Sequence, residues 1–149
     1  MADTWLADIS KAISSRFQDE VIDGNYPSNL TVIYDNDPTQ PPTAETALLA
    51  GDVSAWCRVS IRPANTEQIT IGAPSTNRFR HTGVMICQCF CPIHEGDATV
   101  LKVADVIAKA FRAATEDGVR YRTPRIEVIG RVDKWWQVNV TCPWQSNKE

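Results

Sequence analysis

No apolar run in this 149-residue chain approaches the roughly 20 residues needed to cross a bilayer. The first residues, MADTWLADISKAIS, lack the basic stretch and apolar run of an export signal, so secretion is not expected. The sequons at Asn29 and Asn139 are accordingly read as coincidental. There is no GxxxxGK[ST] and no GxGxxG, the usual phosphate cradles. No CxxC occurs, and neither an internal repeat nor a low-complexity segment is present. Positive charge is also short. Fifteen Lys and Arg against eighteen Asp and Glu leave a net charge of −3, which gives no general footprint for nucleic acid.

What is there suits one domain over 1–149. Apolar residues make up 43% and charged residues 22%, ordinary values for a chain with a real core. The five cysteines are expected to be reduced thiols, because nothing points to an oxidising compartment.

Along the chain, TWLADISKAISSRFQD (4–19) spaces Trp5, Leu6, Ile9, Ala12, Ile13 and Phe17 by three and four, which predicts an amphipathic helix capped by Asp3 or Thr4. LTVIY (30–34) predicts a strand. DNDPTQPPTAETALLAGD (35–52) is a long proline-rich acidic loop, and loops of this length are usually functional or disordered. AWCRVSIRP (55–63) alternates Cys57, Val59 and Ile61 with Arg58, Ser60 and Arg62. With EQITIG (67–72) it reads as a hairpin. Residues 73–83 read as a basic connection. VMICQCFC (84–91) is apolar on both faces apart from Gln88, as expected of a central strand covered on both sides, or of one with one face buried in the fold and the other in a partner. GDATVLKVADVIAKAFRAAT (96–115) predicts a second helix, capped by Asp97 and ended by Gly118. RIEVIGRVDKWWQVNVTCPW (125–144) is a closing hairpin turning near Asp133. The order α-β-ββ-β-α-ββ predicts an α+β domain, with a mainly antiparallel sheet of about six strands and both helices on one face.

Candidate chemistry is sparse. Cys87, Cys89 and Cys91 alternate, with His94 three positions on. Side chains at i, i+2 and i+4 of one strand point the same way but stand roughly 6.5–7 Å apart, which serves a single tetrahedral zinc poorly. The thiols are therefore read as small hydrophobes. No base is placed beside a particular thiol for nucleophilic catalysis. Asp35-Asn36-Asp37 reads as a turn rather than a cation site. Arg120, Arg122, Arg125 and Arg131 with Tyr121, Trp135 and Trp136 form a basic aromatic region. Without an RNP-like run it suits a protein surface better than RNA. No enzyme signature remains, and no cofactor or metal is expected.

Taken in order, VIYDNDPTQPP, AWCRVSI, GVMICQCFCPIHEGDATVLKVADVIAKAF and KWWQVNVTCPW resemble the tail-terminator proteins of long-tailed, siphovirus-type bacteriophages. In that family a Tyr-Asp-Asn follows the first strand, and a Gly-x-x-x-Val/Cys-x-x-Phe-x-Pro strand leads through a glycine into the second helix. The three cysteines depart from the apolar residues expected there. The resemblance implies a lambda-like tail-terminator fold and a virion protein of the tail-neck region, assembled in the bacterial host cytoplasm. Its function would be a ring, commonly a hexamer, that stops tube growth and presents the head–tail joining surface. Its partners would be further copies of itself, the tail-tube protein and a head-completion or connector protein, with no membrane and with DNA only passing through. Another neck or minor tail protein stays an alternative, as does a thiol or zinc protein built on 87–94. Expected contact residues fall in three groups. Asp35, Asp37, Glu45, Leu48, Leu49 and Asp52 belong to the acidic loop. Arg58, Arg62, Arg78, Arg80, Arg120 and Arg122 would oppose it across subunits. Val84, Ile86, Phe90 and Trp135 supply the apolar contribution.

Overall fold

A computed structural model describes residues 5–19, 31–35, 55–72, 77–93, 98–116 and 118–148. Helix α1 (Trp5–Phe17) buries Ile9, Ala12, Ile13 and Phe17, the stripe its spacing predicts. Leu6 belongs to that pattern but lies exposed. Helix α2 (Ala98–Phe111) buries Val100, Val103, Ala104, Ile107, Ala108 and Phe111, while Leu101 faces outward. The caps foreseen at Asp3, Thr4 and Asp97 lie outside the described residues. Arg16 in the last turn of α1 joins the helices: its Nε donates to the Ala110 carbonyl at 2.7 Å. That carbonyl is one of the orphan acceptors at a helix C-terminus. The guanidinium also lies 5.9 Å from the Phe111 ring centroid and 6.0 Å from that of Tyr121.

The strands are β1 (Thr31–Tyr34), β2 (Trp56–Gln68), β3 (Phe79–Pro92), β4 (Thr115–Glu116), β5 (Val119–Tyr121), β6 (Arg125–Val132) and β7 (Trp135–Lys148). They form one sheet of seven strands, ordered β1-β2-β3-β7-β5-β4, with β6 also paired to β7. Every pairing is antiparallel except β1–β2. Parallel neighbours need a crossover of a dozen residues or more, and the stretch 35–55 has that length. Both helices pack on one face. The core joins them to Cys57, Val59, Met85, Cys87, Cys89, Cys91, Val138, Val140, Cys142 and Trp144. The α+β expectation and its mainly antiparallel sheet hold.

Three local expectations change. The hairpin over 55–72 is a single strand, β2, so the ββ pair disappears from that part of the expected order. Pro63-Ala64-Asn65 resembles a turn but is a bulge, where the register against β3 shifts between Pro63 and Thr66. The Thr82 hydroxyl accepts from the Asn65 N–H at 3.3 Å and donates to the Asn65 carbonyl at 3.2 Å, satisfying the backbone that the bulge frees. The true reversal is further on, where the Ile69 N–H meets the Arg78 carbonyl at 2.9 Å. Accordingly β3 starts at Phe79, inside the expected connection.

The second change is at the end of α2, which stops at Phe111, four residues short of the expected boundary. Ala113 takes φ 51°, and the chain turns into the short β4–β5 pair. Gly118, with φ 78°, therefore sits between two strands instead of ending a helix. The third change concerns β7, which continues to Lys148. Its far edge is shared by β6, over Trp135–Thr141, and β5, over Trp144–Ser146. Pro143, which has no N–H to give a ladder, falls at the break between them.

Candidate assembly interface

The face of the sheet opposite the helices carries most of the described contact candidates. Paired residues share a face, so the register Trp56↔Phe90↔Gln137, Arg58↔Gln88↔Asn139, Ser60↔Ile86↔Thr141 and Arg62↔Val84↔Pro143 maps it in four rows. The alternation that places cysteines against the helices thus places Val84, Ile86 and Phe90 here. Val84 and Ile86 are half-buried.

Phe90 has a cover within the chain. It stacks on Trp56 at 4.4 Å between ring centroids, with Trp135 edge-on to Trp56 at 5.8 Å and Ile33 completing the cluster. Offset and edge-on ring pairs of this kind add roughly 0.5–1.5 kcal/mol beyond area burial. Arg58 lies 5.5 Å from the Trp56 ring centroid.

The rest of the face is polar and cationic. Arg62 donates to Asp35 Oδ2 at 2.8 Å and Ser60 Oγ donates to Oδ1 at 3.1 Å. Partial burial works against the charged form of Asp35, but these bonds from Arg62 and then Ser60 hold its carboxyl below the ordinary value. This acid and this arginine, expected to meet across subunits, are thus joined within one chain. Arg80 Nε donates to Asn147 Oδ1 at 3.3 Å and Arg122 donates to Gln145 Oε1 at 2.7 Å. Arg120 pairs with Gln145 and Arg125 with Thr141, on the same side. Six arginines (58, 62, 80, 120, 122, 125) therefore share this face with Asp35, Glu67 and Glu127, on a chain whose net charge is −3. Arg78 stands exposed at the foot of the β2–β3 reversal, its backbone N–H bonded to Thr70 Oγ1 at 2.7 Å. Asp37, Glu45, Leu48, Leu49, Asp52 and His94 lie outside the described residues.

Sequence reasoning missed the edge. Strand β6 pairs only with β7 among the described residues, and it exposes Ile126 (42%), Val128 (55%), Ile129 (45%) and Val132 (43%). A bulge at Ile129, with Gly130 at φ 100°, twists it. IEVIGRV reads as half of a hairpin, and alternation alone does not say that one side of that hairpin is left open.

The thiols lie on the other face, all five buried. Cys89 is lowered to about 5 because Cys57 and then Cys87 hydrogen-bond its sulfur, against the opposing effect of burial. Cys87 is raised by its bonds to Cys57 and Cys89 and by burial. Cys57 is eased down by Cys87 but raised further by Cys89 and burial. Burial pushes the Cys142 thiol up to about 12, against a smaller opposing effect of a hydrogen bond with the Arg122 backbone.

A two-layer α+β domain with helices on one sheet face, a cationic and partly aromatic second face, and an unpaired apolar edge has the build of an assembly subunit. The chain belongs to the phage tail terminator protein family, whose sequence model matches residues 8–144. It is a structural protein of the bacteriophage tail. A solved structure 19% identical in sequence superposes with a TM-score of 0.68 over 97% of this chain and 96% of the other, which extends the shared fold to nearly the whole domain. Curated proteins gave no match.

Proposed function

We propose that this chain forms a closed ring, a hexamer, on the last ring of tail-tube subunits, where it stops tube polymerisation and presents the surface for head joining. Membership of the tail terminator family over residues 8–144 carries this reading. The form of the sheet supports it. The edges at β1 and β6 are unlike each other, so edge-to-edge contact between copies is heterologous, and heterologous contacts close into rings when the rotation allows. The open face, with Arg58, Arg120, Val84 and Ile86, then meets a neighbouring copy or the tube, and head-completion proteins dock on the assembled ring. Assembly takes place in the host cytoplasm.

Light scattering on the purified chain, alone and with tail tubes, tests the proposal together with negative-stain images of tube ends. Rings, or chains capping tubes that then stop growing, are expected. A strict monomer that never binds a tube would sink it.

A further inference from the structure

Three of the five thiols converge, and they come from two strands. Cys87 and Cys89 share the helix side of β3, and Cys57 lies directly opposite Cys89 on β2. The Sγ atoms of Cys57 and Cys89 are 3.5 Å apart, those of Cys87 and Cys89 are 3.9 Å apart, and all three lie within 4.8 Å of one another. None is exposed. An ion in the plane of three sulfurs, bonded to each at 2.3 Å, needs them about 4.0 Å apart. Two of the three edges already meet that spacing to within about half an ångström.

We infer that Cys57, Cys87 and Cys89 form a three-sulfur site for a soft d10 cation such as Cu(I) or Cd(II). The ligand set fixes the class. Hard cations take oxygen ligands, and thiolates select soft ones. No carboxylate or imidazole joins the group among the described residues, which therefore offer three sulfurs and no fourth ligand. Structural zinc is almost always four-coordinate, which leaves ions that accept three sulfurs. Adjacent strands in the middle of a sheet hold the ligands in place before the ion arrives. Binding exchanges S–H bonds for metal–sulfur bonds, and the displaced protons pass to buffer with no oxidation or reduction.

Buried thiols often serve as small hydrophobes and need not gather. Cys91 and Cys142 are as buried as the others yet stand outside the group, although Cys91 continues the same strand face. Filling a core does not require sulfurs to gather.

The test uses the full chain, reduced, metal-free and under anaerobic conditions, titrated with Cd(II). Sulfur-to-cadmium charge-transfer absorption reads the stoichiometry, and X-ray absorption at the cadmium edge reads the ligands of the unmutated protein. One ion per chain with three sulfur neighbours is expected. Cys57→Ala and Cys89→Ala should lose the band, and Cys91→Ala and Cys142→Ala should keep it, with circular dichroism confirming that each variant is folded. Unmutated protein that is folded and reduced yet gives no band overturns the assignment. So do fewer than three sulfurs around cadmium, or a band that survives in Cys57→Ala and vanishes in Cys91→Ala. None of these results bears on ring formation.

Discussion

Gly83 occupies a position in β3 where other groups already fill the space of a side chain. A Cβ built there would stand 2.5 Å from the Arg62 carbonyl oxygen and 2.5 Å from Trp144 Cζ2, with Trp144 Cε2 at 2.9 Å. In an open strand, Gly→Ala would stabilise by roughly 0.5–1 kcal/mol through lost chain entropy in the unfolded state. Here the carbonyl belongs to the β2–β3 ladder and the indole is fully buried, so neither can yield freely. Overpacking of this kind costs typically about 1–3 kcal/mol. The clash therefore wins, and Gly83→Ala should lower the melting temperature by several degrees, at roughly 2–4 °C per kcal/mol for a chain of this size. A double-mutant cycle with Trp144→Phe separates the two contacts. Phenylalanine lacks the fused indole bicycle whose Cζ2 and Cε2 make the contact. It also removes an indole N–H that has no hydrogen-bond partner among the described residues. The double variant should be more stable than the sum of the single losses by at least about 0.5 kcal/mol, above the additivity of independent sites. A Gly83→Ala protein that melts at or above the parent temperature would refute the reasoning. Strict additivity would remove the indole from it and leave only the carbonyl.

Arg16→Met keeps the aliphatic stem but loses the donor to the Ala110 carbonyl. Urea unfolding should show a loss of about 1.5–3 kcal/mol, the range for a hydrogen bond to a charged group, and no change would show that the helices do not depend on it. Asp35 is held below its ordinary value of 3.8, so its contribution to stability is present above that pH and is lost as pH falls through the lower folded value. Because the Asp35–Arg62 pair is about half exposed, Asp35→Asn should cost less than about 1 kcal/mol at neutral pH and nothing at strongly acid pH, read from melts across pH. A thiol reagent should label no cysteine rapidly in the native protein and all five in denaturant. Fast native labelling of any one would contradict its burial.

The elements that sequence reasoning placed well are those whose signal is local and periodic. Ile9, Ala12, Ile13 and Phe17 needed only a 3.6 period, and Cys57, Val59, Cys87 and Cys89 only a period of two. The misplaced boundaries are those that a distant partner decides. Pro63-Ala64-Asn65 has the composition of a turn, and only the ladder to β3, with Thr82 bridging the gap, turns it into a bulge in one long strand. Gly118 fits a helix end as well as a strand reversal, until Val119 and Tyr121 are found against Ser146 and Trp144. The apolar contact candidates show the same limit. Val84, Ile86 and Phe90 lie on the expected face, but which of them the chain itself covers depends on Trp56, thirty-four residues earlier and cross-strand from Phe90. The exposure of β6 depends on sheet order, which no spacing encodes.

The cysteines make the sharpest case. Counting along one strand gives Cys87, Cys89 and Cys91, and their rise per residue rightly argues against one metal bound by all three. The same geometry favours a different triplet. Directly opposite residues in an antiparallel pair have Cβ atoms about 4.5–5.5 Å apart, closer than next-but-one neighbours on a strand. A thiol gathered from across the ladder therefore outcompetes one further along it. Cys57 joins Cys89 at 3.5 Å, and Cys91 is left out. The single fact needed to see this is the register Cys57↔Cys89, and the bulge after Pro63 helps to conceal it. If 55–72 is folded into a hairpin of its own, Cys57 loses β3 as a neighbour. Corrected to one strand, β2 carries its thiol to the only place in the described sheet where three sulfurs can share an ion.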